Sequence, residues 1–362
     1  EIAADVVKQL KLALLGAVPT VRTTDPEAYA LYLQAVQLRQ QATAEAFKQS
    51  DVLYRKVLAI DPRYAPAWNG LSINLSNETG QGLSDKEWYA QSREAAMKAL
   101  AIDPDYAPAH ASLGWIAMNA DNDLAGAAQH LKRALALDPA DPSGLRGSAR
   151  LLELLGRLDE ALVLGEAAVR RDPVYVQGLL SLGLLQRRAG RLDAAVASGR
   201  TALSLFPGRG TGHYLIGSAL LLQGDARGAL AEIEQESDEA WKLLGLGMVY
   251  HALGRKADSD AALAALIAKY EKNASCTIAD VYAYRSEFDQ AFEWFDKAVE
   301  HNFNYCLSII ATVHLFDKIH ADSRWLPFLR KIGRAPEQLA KIEFKVTLPQ
   351  AESATTGVGS NK

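Results

Sequence analysis

Gly156-Arg-Leu-Asp-Glu-Ala161 and Gly190-Arg-Leu-Asp-Ala-Ala195 are spaced 34 residues apart, and each is followed at the same interval by a proline, Pro173 or Pro207. Working outward, Asp172-Pro173 recurs as Asp138-Pro139, Asp103-Pro104 and Asp61-Pro62, and Phe206-Pro207 continues the series. Successive prolines are 42, 35, 34 and 34 residues apart. Proline lacks an N–H and pushes the residue before it out of the helical region, so each dipeptide ends a helix. Ahead of each ending lies an apolar stripe at helical spacing, such as Tyr54–Val57–Leu58 or Leu131–Ala134–Leu135. After it a second amphipathic segment runs to the next glycine-led turn. The repeating unit is therefore a pair of antiparallel helices about 34 residues long.

A helix pair of this length and ending resembles the tetratricopeptide repeat (TPR). With each proline counted as position 32, position 8 is small in five units: Ser72, Gly114, Ala149, Gly183 and Gly217. Position 20 is Ala161, Ala195 and Ala229 in three consecutive units. Small residues at these two positions let the paired helices approach closely, while Trp68, Leu145 and Leu179 at position 4 fill the gap to the neighbouring unit. The expected fold is all-α: a right-handed TPR superhelix (α-solenoid) of about eight units with a C-terminal helical cap. Unit one spans 26–60 and unit two 64–102, with an insertion near 77–85; units three to five span 106–205. The sixth (209–236) lacks a closing proline; the seventh and eighth are read from Gly247, Tyr250, Gly254, Ala279, Tyr282, Ala291 and Ala298. By this reading 1–25 is a helix and linker left from an upstream domain, 26–306 the array, 307–349 capping helices and 350–362 a disordered tail.

Four segments lie off the period: Glu1-Ile-Ala-Ala-Asp-Val-Val7, Asp25-Pro-Glu-Ala-Tyr-Ala-Leu-Tyr-Leu33, Asp289-Gln-Ala-Phe-Glu-Trp-Phe-Asp-Lys-Ala298, and Leu315-Phe-Asp-Lys-Ile-His-Ala-Asp-Ser-Arg-Trp-Leu-Pro-Phe-Leu-Arg330. Together they resemble the repeat region that follows a TolB-like domain in bacterial signalling and regulatory proteins. In that family the N-terminal output module is often a winged-helix DNA-binding domain or a class III nucleotide cyclase. The resemblance implies a sensor or docking segment and supplies no catalytic residues for this region.

Composition excludes several classes. Hydrophobic residues make up 49% and charged residues 23%, enough to bury a large core, and the net charge of −4 favours neither nucleic acid nor a membrane surface. The two cysteines, Cys276 and Cys306, argue against a disulfide framework or a structural zinc site and leave the redox compartment open. The cytoplasm is expected, with the periplasm as the alternative should a membrane anchor lie upstream. Phosphate-loop, dinucleotide, zincin and nucleophile-elbow motifs are all missing. His314 and His320 are six apart on a helical reading and point to opposite faces, and His301 and Cys306 lack a third ligand. No cofactor, no metal and no enzyme activity are expected. Trp68, Trp88, Trp241, Trp294 and Trp325 read as core residues.

The concave face is the candidate site. In tetratricopeptide repeats the first helix of each unit lines the groove through positions 2, 5, 9 and 12. That register selects Asn69, Ile73, Trp115, Arg146, Arg150, Gln177, Leu180, Leu184, Arg187, Thr211 and Tyr214. Over 141–210 the chain has ten arginines, no lysines and seven acids. Arg146 and Arg150 share a helical face, and guanidinium forks grip carboxylates in bidentate fashion. The groove is therefore expected to bind an acidic peptide or a peptide C-terminus. The competing reading is a solvated arginine face with intrahelical partners such as Glu153. The acidic run Glu232–Glu239 is open to either a second contact or a self-contact with the basic stretch. A stand-alone adaptor or co-chaperone-like scaffold is the second functional hypothesis, and an enzyme or metal protein with a site in the irregular C-terminal third is the third.

Overall fold

The computed structural model describes residues 24–41, 43–77, 85–208, 210–271, 274–301, 310 and 314–347. The expected helix at 1–15, the insertion at 78–84 and the tail at 350–362 lie outside them. Helices pair in order along the chain, beginning with α1 (Pro26–Gln40) and α2 (Ala44–Ile60), then α3 (Ala65–Asn77) and α4 (Asp85–Ile102). Units three to five pair α5 (Ala107–Asn119) with α6 (Leu124–Leu137), α7 (Pro142–Leu154) with α8 (Leu158–Arg171), and α9 (Val176–Arg188) with α10 (Leu192–Leu205). Units six to eight pair α11 (Gly212–Leu222) with α12 (Ala226–Ile233), α13 (Glu239–Ala252) with α14 (Lys256–Tyr270), and α15 (Ser275–Tyr284) with α16 (Phe288–Glu300). No strand occurs among the described residues. The apolar interior is a chain of adjoining clusters rather than one central core, as expected for units that stack on their neighbours.

The punctuation has a local cause. Asp61, Asp138 and Asp172 sit in non-helical backbone at the ends of α2, α6 and α8, the first two extended. The Asp61 and Asp138 carboxylates accept the N–H two residues on, from Arg63 at 3.0 Å and Ala140 at 2.9 Å, which folds the chain into the next helix. Within a unit, Gly156 and Gly190 take left-handed backbone (φ 75° and 72°). Each closes a Schellman-type ending, for example Arg157 N–H donating to Leu152 O at 2.9 Å. The small position 8 is a close approach: a methyl on Gly183 would lie 2.5 Å from a Leu215 methyl and 3.4 Å from Ala195 O.

Past α16 the chain caps the array and then turns back. A 3-10 helix (His314–Ala321) and α17 (Trp325–Lys331) close the last unit, with Phe328 packed on Phe292 and Phe295. Left-handed Gly333 then redirects the chain into the short α18 (Pro336–Leu339) and on to residue 347. This return segment reaches units three and four. Asn122 Nδ2 donates to Ile332 O at 3.1 Å, and Arg157 donates to Phe344 O across 187 residues of sequence. Phe344 is 1% exposed within the apolar cluster of α5–α9, and Leu339, Ile342 and Val346 pack against the same cluster.

Cys276, buried on α15, is disulfide-bonded, contrary to the cysteine reading from sequence. Cys306, the only other cysteine of the chain, lies outside the described residues. The chain's two cysteines lie 30 residues apart without a spacing motif, so the Cys276 disulfide left no mark in the sequence.

Candidate functional site

The inner helices of units four and five, α7 and α9, together with Gly165, Ala168 and Val169 of α8, line a partly open cavity of about 60 Å³. That is room for about four waters or one oxyanion head group. Trp115 closes it from unit three, and α7 contributes Arg146, Arg150 and Glu153 at positions 5, 9 and 12. From α9 come Leu184 and Arg188, and Tyr175 just precedes that helix.

Charge is concentrated at one end. Glu153 is buried and shared: Arg150 Nη1 donates to it at 2.8 Å along the helix, and Arg188 Nη1 donates from the neighbouring unit. Burial works to raise the Glu153 pKa, but Arg188 and Arg150 outweigh it and hold the carboxyl below its usual range. At the other end the Arg146 guanidinium lies over the Tyr175 ring, 5.0 Å from its centroid. Asp172 also lines the cavity; burial raises its pKa, against Arg146 and Arg39. Asp141, the buried N-cap of α7, accepts the Gly144 N–H at 2.6 Å, and burial pushes its carboxyl up to about 6.

The structure brings Trp115, Arg146, Arg150 and Leu184 to this one cavity, and the other residues selected by register go elsewhere. Asn69 is buried and accepts a hydrogen bond from Ser112 Oγ at 2.9 Å, so it joins units two and three. Leu180 is a core residue, 1% exposed, because its face of α9 packs on unit six. Arg187 and Tyr214 are also buried: Arg187 donates to Ser218 Oγ and lies over the Tyr214 ring, and Trp241 packs on that ring at 4.7 Å. Arg187 therefore does not line the cavity with Arg146 and Arg150. Ile73 and Gln177 are half-buried on α3 and α9, away from the cavity wall, and Thr211, in left-handed backbone, leads into α11.

Within the acidic run, Glu236 accepts the N–H groups of Thr211 (3.0 Å) and Tyr214 (2.9 Å), Asp238 caps α13, and Glu232 pairs with His213. Those carboxylates hold helix starts of units six and seven. Register also overlooked Arg188, one position past Arg187, and Tyr175, two positions before Gln177. Among the described residues no group of three or more His, Cys, Asp or Glu could hold a metal ion. None of the described helices is long and apolar enough to cross a membrane.

Two family models, each described as a tetratricopeptide repeat, match residues 118–182 and 180–242, the stretch that contains this cavity. The fold is a tetratricopeptide-repeat solenoid. Among solved TPR-like structures, the Cut9–Hcn1 hetero-tetramer of the APC/C aligns over 91% of this chain and 59% of its own, at 16% identity and a TM-score of 0.55. Human IFIT1, solved as a dimer with m7Gppp-AAAA, aligns over 82% of this chain and 76% of its own, at 14% identity and a TM-score of 0.53. Likeness at these identities concerns the fold alone. No curated protein sequence matches the chain.

Proposed function

We propose that this TPR solenoid is a non-catalytic scaffold, the sensor or docking segment of a regulatory protein, whose concave face holds a peptide bearing a carboxylate. The observation that carries the reading is Arg146. It stands on Tyr175 in a cavity whose other arginines are committed to Glu153, with Trp115 and Leu184 as the apolar wall. A cation held on an aromatic face beside apolar side chains suits a C-terminal carboxylate and the residue before it. The fold supports protein recognition, since stacked units present an extended concave surface. The Cys276 disulfide favours an oxidising compartment, and hence the periplasmic alternative over the cytoplasm.

The test uses N-acetylated heptapeptides of varied sequence, each made with a free C-terminal carboxylate and as the amide, and reads binding by fluorescence anisotropy. Carboxylate forms should bind and amides should bind at least about tenfold more weakly, a difference of roughly 1.4 kcal/mol. Arg146→Ala should weaken the carboxylate forms by a similar factor, while Arg324→Ala, in a surface pair with Asp322, should not. Equal binding of acid and amide forms would overturn the carboxylate reading.

A further inference from the structure

Six residues after the proline that closes the preceding unit stand Trp68, His110, Leu145 and Leu179, in units two to five. Trp68 Nε1 donates to Pro62 O at 3.0 Å, and His110 Nε2 lies 3.1 Å from Pro104 O at the same separation in sequence. A carbonyl oxygen can only accept, so the neutral His110 ring carries its proton on Nε2 and leaves a lone pair on Nδ1. Across the helix pair stands a second imidazole. His110 Nδ1 on α5 and His130 Nδ1 on α6 are 3.5 Å apart, with the ring planes inclined by 36°. At the place of His130, eight residues before the closing Asp or Phe, units four and five have Leu164 and Ser198. Unit three thus sets histidines at two facing positions that its neighbours fill with Leu145 and Leu164, or with Leu179 and Ser198.

The spacing discriminates between uses of the pair. An ordinary N–H donor sits about 2.7–3.2 Å from its acceptor, so a direct hydrogen bond between these rings is long. Two nitrogens that ligate one zinc ion at about 2.0–2.1 Å with a tetrahedral angle lie about 3.3–3.4 Å apart, close to the separation observed. Ligands at right angles, as in square-planar sites, would lie only about 2.9 Å apart. The Pro104 carbonyl supplies what a ligating histidine needs behind it, an acceptor for the other ring N–H that fixes the tautomer. Both rings are half-buried, so they are held in place yet reachable from solvent. Arg93, the nearby cation that opposes a metal at His130, is offset by Asp123 and by Asp121, whose two oxygens accept from Arg93 Nη2 at 2.8 and 2.6 Å.

We infer that His110 and His130 form a two-histidine chelate for Zn²⁺, through Nδ1 of each ring, that ties α5 to α6 in unit three. Two protein ligands leave two tetrahedral positions to water, so the ion binds reversibly at an open site. Neither histidine lines the Arg146 cavity, and the site stands apart from the carboxylate reading.

The experiment titrates Zn²⁺ into the full chain in a non-chelating buffer at pH 7.5, by calorimetry, thermal unfolding and amide hydrogen exchange. One Zn²⁺ should bind at this site, raise Tm by about 2 °C or more near saturation, and slow exchange over 107–137. Mg²⁺, which takes oxygen ligands, should do neither. His110→Gln and His130→Gln should each weaken this binding about tenfold or more, and His251→Gln, on an exposed histidine, should not. In nitrogen-15 spectra of the imidazoles, Zn²⁺ should shift Nδ1 of both rings. No Zn²⁺ binding, an equal response to Mg²⁺, coordination through Nε2, or wild-type affinity in either glutamine variant overturns the site. Should those variants fail to fold, His110→Leu places there the residue that units four and five carry. The same loss is expected, and unchanged affinity overturns the chelate. Arg146→Ala should leave Zn²⁺ binding intact, so failure of the peptide reading and failure of this one are read separately.

Discussion

Glu153→Gln is the sharpest test of how the inner helices are held. The Glu153 side chain is 5% exposed, with Arg150 at 10% and Arg188 at 7%, so one buried carboxylate neutralises guanidiniums from two consecutive units. An amide can accept one of these hydrogen bonds but leaves both cations without a counter-charge. Breaking a buried pair by removing one partner costs about 3–5 kcal/mol. The Arg157–Glu160 pair is an internal control, because both side chains are about a third exposed and such pairs contribute under about 1 kcal/mol. Thermal unfolding of the two variants should therefore separate by about 6 °C or more. Because units couple to their neighbours, hydrogen exchange in Glu153→Gln should rise first over 142–188. The pH dependence has a definite sign. The Glu153 pKa is depressed in the fold, so its contribution is complete above the unfolded value of a glutamate and is lost as pH falls through the lower folded value. If Glu153→Gln melts no earlier than Glu160→Gln, the shared carboxylate does not join units four and five, and the ion-pair account fails.

Other perturbations follow from the same contacts. Gly183→Ala should cost about 1–3 kcal/mol, because the new methyl meets Leu215 at 2.5 Å. Exchange should rise in units five and six first, and a uniform rise across all eight units would contradict neighbour-only coupling. Phe344→Ala should cost about 3–5 kcal/mol and release the return segment, seen as faster proteolysis after residue 332. Asp141 is raised by burial to about 6, so wild-type stability should fall as pH rises from about 4 to 6 and then level off. Asp141→Asn, which keeps a capping acceptor, should be the more stable protein at pH 7 by roughly 1–3 kcal/mol, with the gain gone below pH 4. Thiol titration of the denatured, unreduced chain should find no free cysteine; two reactive thiols would remove the argument for an oxidising compartment.

The array was legible because its determinants are local and periodic. An Asp-Pro ending folds the chain within two residues of itself, and the need for a small residue where α9 meets α10 is met at the same position in every well-formed unit. The site was only half legible, for a reason that Arg187 and Arg188 make plain. Register decides which face of one helix looks toward the axis, but it does not say which neighbour claims each guanidinium. Position 12 is Glu153 in unit four and Arg187 in unit five, and Arg188 at position 13 is the one that crosses to Glu153. That pairing depends on the stagger between units, which no single helix encodes. The return segment did leave a signal. Ile342, Phe344 and Val346 alternate with Glu343 and Lys345, the period-two pattern of an extended chain with one apolar face. Such a pattern announces that a face will be covered without saying by what, because eight similar units offer eight similar edges. Selection falls to side chains that differ between units. Asn122 and Arg157 occupy the turns of units three and four and take the carbonyls of Ile332 and Phe344. The fold of a repeat array is thus written in what its units share, and its binding sites in the few positions where they differ.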